Sequence, residues 1–216
     1  MIGDRLTEDT IIPLLRDLRI RWRVHAYCSI VSTNDTAKRF ARAGASEGTL
    51  VVAETQTGGR GRRGNVWKSP PGGLWFSFVL RPHLPPDRAS GLSVVAAVAV
   101  ARTVNDLAGL GARIKWPNDV FVTGRKLAGA MVVSAGAGAL VVGVGINANV
   151  SEEELPAPAW YEATSLLRET GESCERAAVL ARVLAEFESR YFAYRGPDHE
   201  ELMEEWRELS LVIGEA

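Results

Sequence analysis

Lysine is scarce in this 216-residue chain, with four residues set against 21 arginines. Cysteine is scarcer still. Cys28 and Cys174 stand alone, without metal-ligand spacing, which excludes a disulfide framework and implies unpaired, buried thiols in a reducing compartment. The three histidines, His25, His83 and His199, form no cluster that suggests a metal centre or a catalytic triad. Long apolar runs are missing too: the stretch Leu92 to Val100 is closed by Arg102, well short of the roughly 20 residues that span a bilayer. No signal-peptide pattern opens the chain, since acidic and basic residues are scattered through its first turns. The expectation is a cytoplasmic protein with no membrane partner. Net charge is −1, so bulk attraction to nucleic acid is not expected and any cationic site must be local.

What is present suits one substantial domain: 46% of residues are hydrophobic and 24% charged. Chemistry concentrates in Thr55 to Lys68, TQTGGRGRRGNVWK. Four glycines and three arginines occupy Gly58 to Gly64, and no apolar residue lies between Ala53 and Val66. Glycine lets backbone N–H groups approach an anion, and arginine adds charge-assisted, often bidentate hydrogen bonds. The same composition also suits a merely solvated loop. Gly59, Gly61 and Gly64 match G-x-G-x-x-G, but Trp67, Pro70, Pro71, Gly72 and Gly73 follow where a dinucleotide site needs a helix. A kinase reading fails for want of V-A-I-K, H-R-D and D-F-G, and no Gly-Lys-Ser/Thr marks a P-loop.

The elements around this loop point to α+β. Residues 7–20 read as an amphipathic helix with Ile11, Leu14, Leu15 and Leu18 on one face, and 21–31 as a strand. Ser32, Thr33 and Asn34 all suit an N-cap, with Gly44 as the stop. A cap needs only one of the three, which leaves the others free for a ligand. Strands follow at 49–54 and 74–80, then a long helix over 87–108. A short strand at 112–116 leads to a hairpin (119–122 and 125–134) and a strand at 139–146. Residues 148–165 read as a loop, and helices close the chain at 173–194 and 198–209.

Polar residues recur at strand ends. In Lys115-Trp-Pro-Asn-Asp119 the proline breaks a strand, and Asn118 is either a turn residue or a ligand contact. Arg125-Lys-Leu-Ala-Gly129 places Lys126 at the start of a strand whose Gly129 permits close approach. Gly143-Val-Gly-Ile-Asn-Ala-Asn149 ends a strand with asparagines.

In this order the stretches Ser32-Thr-Asn34, Gln56 to Gly64 with Trp67, Lys115 to Asp119, Arg125 to Gly129 and Gly145-Ile-Asn147 resemble the motifs of biotin protein ligases. These enzymes are also called biotin–acetyl-CoA-carboxylase ligases. The resemblance implies a mixed, largely antiparallel sheet packed by helices, related to class II tRNA synthetases and lipoate ligases. It implies ATP-dependent, AMP-forming chemistry in which biotinyl-5′-AMP is made first. A lysine of a biotin carboxyl carrier domain then takes the biotinyl group. Mg²⁺ would accompany ATP. Carried over by position, Ser32, Thr33, Asn34 and Gln56 are biotin-site residues. Arg60, Gly61 and Arg62, with Trp67, belong to a lid that orders over biotin and adenylate. Lys126 neutralises charge at the carboxylate and α-phosphate, with Gly129 beside it. Lys115, Asn118, Gly145 and Asn147 fall on the nucleotide side, and Trp160 would cover the adenine. Catalysis would rest on Lys126, Arg60 and Arg62, with no nucleophile and no protein-held metal.

Residues 1–209 are expected to form the catalytic domain, without the winged-helix DNA-binding domain of many bacterial members. Residues 210–216 are expected to begin a C-terminal β-module that is absent or truncated. Val133 stands where a glutamate is common, and a homodimer is expected by analogy. The alternatives are a lipoate or octanoate ligase on the same fold, a nucleic-acid-binding module using Arg60, Arg62 and Arg63, and an impaired member that only binds biotin.

Overall fold

A computed structural model describes residues 4–157, 161–196 and 199–211. Its centre is one seven-stranded sheet in the order β1-β2-β3-β7-β6-β5-β4. The strands are β1 (Arg23–Ile30), β2 (Thr49–Gln56), β3 (Leu74–Leu80), β4 (Arg113–Lys115), β5 (Asp119–Val122), β6 (Arg125–Gly136) and β7 (Ala139–Ile146). Only β1 and β2 run parallel; every other neighbouring pair is antiparallel. The parallel pair needs a crossover, and α2 (Thr33–Arg42) supplies it. The mixed, largely antiparallel α+β architecture is the one read from the sequence.

Helix α2 covers one face of the sheet, setting Ala37 and Ala41 on Val51, Val79 and Val141. The opposite face carries α4 (Leu92–Ala108) and α6 (Arg176–Arg195). There Val95 and Ala99 of α4, and Leu180, Leu184, Phe187 and Tyr191 of α6, pack with Leu50, Phe76, Phe78 and Val142. Covered on both sides, β3 is buried at all seven positions, which explains its unbroken apolar run. Phe78 makes edge contacts to Trp22 at 5.4 Å and Phe187 at 4.8 Å, tying β3 to the helical layer.

Arg176, 4% exposed, anchors the lower end of the sheet. Its guanidinium reaches Asp4 at 2.7 Å, Glu54 at 2.8 Å and the Gly73 carbonyl at 2.9 Å. Every partner is satisfied, so the buried charge is compensated.

Four expectations change. The Cys28 thiol, expected to be buried, is exposed on the edge strand β1. The helix read over 7–20 is α1 (Glu8–Ile11) followed by a 3₁₀ turn at Ile12–Leu15. Pro13 lacks an N–H and disfavours a helical residue before it, so the α-helix stops; Leu14 is exposed rather than inward. The helix read over 87–108 breaks at Ser90-Gly91 into α3 (Pro86–Ala89) and α4. Gly91 is required there because a side chain would collide with the Tyr194 hydroxyl. The loop read over 148–165 contains a 3₁₀ turn at Glu152–Glu154 and leads into an unanticipated α5 (Leu166–Thr170). Trp160 lies outside the described residues. The last helix, α7 (His199–Leu209), joins α4 and α6 through Glu205, which pairs with Arg102 and Arg190 at 2.6 Å each. Beyond it Ser210 bridges Ile114 of β4 in parallel; residues 212–216 lie outside the described residues.

Candidate active site

The α2-facing surface of the sheet forms the floor of the site. Ser77 of β3 donates to Thr33 Oγ1 at 2.8 Å, and Thr33 donates through its N–H (2.7 Å) and hydroxyl (3.0 Å) to Gln56 Oε1. Gln56 Nε2 then donates to Ser69 Oγ at 2.8 Å. This chain of polar groups fixes the first turn of α2 against β2 and β3. Ser32 is its N-cap, accepting from the Asp35 N–H at 3.4 Å, and does not line the cavity. Thr33 and Asn34 do line it. Asn34, 7% exposed, rests against Gly143, where any side chain would overlap its amide; its Oδ1 has no partner.

The Arg–Gly stretch is the roof. It folds back on itself through Gly61 N–H to Asn65 O at 2.8 Å and Trp67 N–H to Gly59 O at 2.9 Å. Arg63 takes a left-handed conformation (φ 57°) at its tip. Two arginines attach it to different walls: Arg60 Nε lies 2.7 Å from Asp35 Oδ2 on α2, and Arg62 Nη1 lies 2.5 Å from Asn118 Oδ1. Asn118 follows a cis Trp116–Pro117 bond and is held by Nδ2 to the Ala130 carbonyl at 2.6 Å.

Lys126 stands opposite the roof. Its backbone N–H donates to the Glu162 carbonyl at 2.8 Å, and its ammonium pairs with Asp119 Oδ2 at 2.7 Å, 5.2 Å from the Trp67 ring. Trp67 lies over Gly129 and Gly145, and its Nε1 is buried without a partner.

Two adjoining cavities result, of about 410 and about 390 Å³. Asn65, Val66, Trp67 and Lys126 line both. The first holds Thr33, Asn34, Gln56, Arg60, Gly61, Arg62, Asn118, Gly129 and Gly145. The second holds Asn147, Lys68, Tyr161 and the apolar Pro156, Ala157 and Ala163. Asn147 spends its Nδ2 on the Thr164 carbonyl at 2.8 Å. Lys115 lines neither cavity; its ammonium bonds the Tyr161 hydroxyl and lies 3.4 Å from that ring's centroid. Among the described residues, all the sequence-selected ones except Ser32 and Lys115 line one cavity or the other, and Trp160 lies outside them. Asn118 and Gly145, expected on the same side as Asn147, line the first cavity, whereas Asn147 lines the second.

Four participants were missed. Asp119 meets Lys126 within the hairpin read from the sequence, but the pattern does not show which side chains face each other; Ser77 meets Thr33 across a span that local sequence does not encode. Lys68 and Tyr161 had a weak signal: one is among the few lysines, the other neighbours the selected Trp160. Electrostatically, Arg60, Arg62 and Lys126 face a cavity whose only lining carboxylate among the described residues is Asp119, an arrangement suited to anionic ligands. Among the described residues no group of three or more His, Cys, Asp or Glu could hold a metal, and no helix is long and apolar enough to cross a membrane.

A mixed sheet bearing two adjoining cavities, with a lysine lining both and an arginine-rich roof, offers neighbouring sites suited to anionic ligands. Residues 26–151 match the biotin/lipoate A/B protein ligase family, and the chain belongs to that family. The biotin–acetyl-CoA-carboxylase ligase of Mycobacterium tuberculosis is 34% identical over 189 residues, covering 85% of this chain and 69% of the relative. The bifunctional ligase/repressor BirA of Bacillus subtilis is 38% identical over 188 residues, covering 85% of this chain. The chain spans 58% of the length of that relative. The biotin protein ligase of Aquifex aeolicus, solved in complex with biotin and ATP, has a TM-score of 0.79 at 30% identity and covers 89% of this chain and 80% of its own.

Proposed function

We propose that this protein joins biotin to a lysine of a biotin carboxyl carrier domain through biotinyl-5′-AMP. The observation that carries the reading is the position of Lys126, which lines both cavities at once. A biotin carboxylate in the first cavity and an α-phosphate in the second would meet at its ammonium. Both partners are anionic, so the barrier to bringing them together is largely electrostatic, and a preoriented cation lowers it.

In the first step a biotin carboxylate oxygen attacks the α-phosphorus of MgATP. The bond to the β-phosphate oxygen breaks and pyrophosphate leaves with the electron pair. Lys126 neutralises the charge on the transferring phosphoryl group. In the second step a neutral lysine amine of the carrier domain attacks the biotinyl carbonyl; the C–O bond to AMP breaks and the amine loses a proton. AMP makes the carboxyl electrophilic, so no enzyme nucleophile is needed.

The unpartnered Asn34 Oδ1 suits a ureido N–H, and the Thr33–Gln56 pair offers both donor and acceptor beside it. This polarity favours biotin over lipoate, whose dithiolane has no comparable groups. The second cavity supplies aromatic faces from Trp67 and Tyr161 for the nucleotide. Asn147 lines it directly, oriented by its Nδ2 bond to the Thr164 carbonyl, and Lys115 acts on it at one remove by holding Tyr161. A magnesium ion carried by the triphosphate would neutralise part of its charge, and Asp119, a carboxylate lining the first cavity, would be the residue to offer it an oxygen.

Cytoplasmic location and pairing of two copies belong to the same proposal. ATP–pyrophosphate exchange with and without biotin tests it. Biotin-stimulated exchange supports the reading; exchange stimulated by lipoate and not by biotin overturns it.

A further inference from the structure

Asp35 lies outside the floor and walls of the cavity, yet it holds part of the roof. It sits in the first turn of α2, where the helix dipole favours a carboxylate. That carboxylate does not cap the helix, because Ser32 does. Each oxygen instead takes one cation: Oδ1 receives Lys38 at 2.9 Å, and Oδ2 receives Arg60 at 2.7 Å. Lys38 belongs to the same helix, so it orients the carboxylate without linking elements. Arg60 belongs to the roof, so its bond ties roof to scaffold.

Resting on the biotin ligase reading, we infer that Asp35 is a positioning residue: a latch that holds the Arg–Gly lid closed through Arg60 and slows escape of biotinyl-AMP. The lid has two points of attachment, and they differ in kind. Arg62 is held by Asn118, a neutral amide beneath the cavity wall, and this bond is half-buried. Arg60 is held by a full charge at the surface, with side chains 58% and 32% exposed. An exposed ion pair of this sort shifts an equilibrium by roughly 1.4- to 5-fold. That modest size suits a lid that must open in every cycle to admit biotin and the carrier lysine. A tighter bond would trap product; without any bond, water would reach a reactive mixed anhydride. Being an exposed pair, the latch also weakens as salt rises, whereas the Arg62 attachment changes little.

Hydrogen exchange of the peptide 57–68 in the ligand-free protein reads the latch without relying on activity. Asp35→Asn should exchange in this peptide about two- to fivefold faster than the parent, and Asp35→Glu should sit near the parent. Raising sodium chloride to about 1 M should bring the parent toward the Asp35→Asn rate and leave the variant unmoved. Equal exchange in parent and Asp35→Asn overturns the latch. Release of biotinyl-AMP, chased with unlabelled biotin, should accelerate by the same factor in Asp35→Asn. Faster exchange with unchanged release overturns the role in retention. A parent that forms no biotinyl-AMP defeats the biotin ligase reading instead, while the exchange arm still decides whether the latch exists.

Discussion

Gly129 and Gly145 face each other across the β6–β7 ladder, and the Trp67 indole fills the slot left by their missing side chains. The two positions are unequally tight. A Cβ on Gly145 would stand 2.7 Å from Trp67 Nε1, whereas one on Gly129 would stand 3.1 Å from Asp119 Oδ1 and 3.2 Å from Trp67 Cζ3. Both glycines have ordinary negative-side backbone angles, so the constraint is space and not conformation.

Gly145→Ala is therefore expected to lift Trp67 from the sheet and disturb one of the residues that line both cavities. Biotin affinity should fall by about tenfold or more, the equivalent of roughly 1.4 kcal/mol, and tryptophan fluorescence should shift. Gly129→Ala needs only a few tenths of an ångström of adjustment and should lose a few-fold at most. Isothermal titration with biotin checks both, and equal losses would contradict the geometry.

Lys126→Ala removes the one cation that, among the described residues, lines both cavities, and leaves Asp119 without its ammonium partner. Adenylate formation should drop by at least about 100-fold, in line with the loss of a preorganised electrostatic contact. The fold should survive, because the Lys126 side chain is partly exposed and its backbone bonds to Glu162 and Thr164 remain. The measurements are biotin-dependent pyrophosphate exchange and the thermal midpoint; near-normal exchange would refute the role.

Much of this was readable from local pattern, and what was not depends on distance along the chain. The apolar run of β3 and the Leu180, Val183, Leu184, Phe187 and Tyr191 stripe of α6 announced buried elements. The sheet order was not legible, since β3 pairs with β7 across some sixty intervening residues. Ser32, Thr33 and Asn34 were recognised together, but only geometry separates the cap from the two that face the cavity. Lys115 and Lys126 looked alike as rare lysines at strand ends. Their difference is what each points at: Tyr161 in one case, Asp119 and the cavities in the other. Five residues are too few to show a helical period, so α5 escaped notice.

Arg62→Ala tests the inner attachment of the lid. The 2.5 Å bond to Asn118 is charge-assisted and half-buried, worth roughly 1.5–3 kcal/mol. Its loss should speed escape of biotinyl-AMP by about tenfold or more, with pyrophosphate exchange less affected than transfer to the carrier. Rapid-quench measurement of enzyme-bound and free biotinyl-AMP distinguishes these steps. Unchanged retention would remove Arg62 from the lid's closing contacts.

Glu205 sets the acid limit of the helical layer. Burial alone would raise its pKa, but hydrogen bonds and charge from Arg190 and then Arg102 outweigh that and hold the carboxyl below the ordinary glutamate value of 4.5. A carboxyl with a depressed folded pKa stabilises the native state fully above its unfolded value and loses that contribution as pH falls through the folded one. The stability joining α4, α6 and α7 should therefore hold at neutral pH and decline below about pH 4.5. Glu205→Gln keeps the shape and removes the charge. At pH 7 it should cost about 1–2 kcal/mol, since two arginines lose an ionic acceptor that is mostly shielded from water. Urea unfolding at several pH values checks both statements: the difference between parent and Glu205→Gln should narrow steadily below pH 4.5. A gap that stays constant down to pH 3 would mean that the network contributes through packing and not through charge.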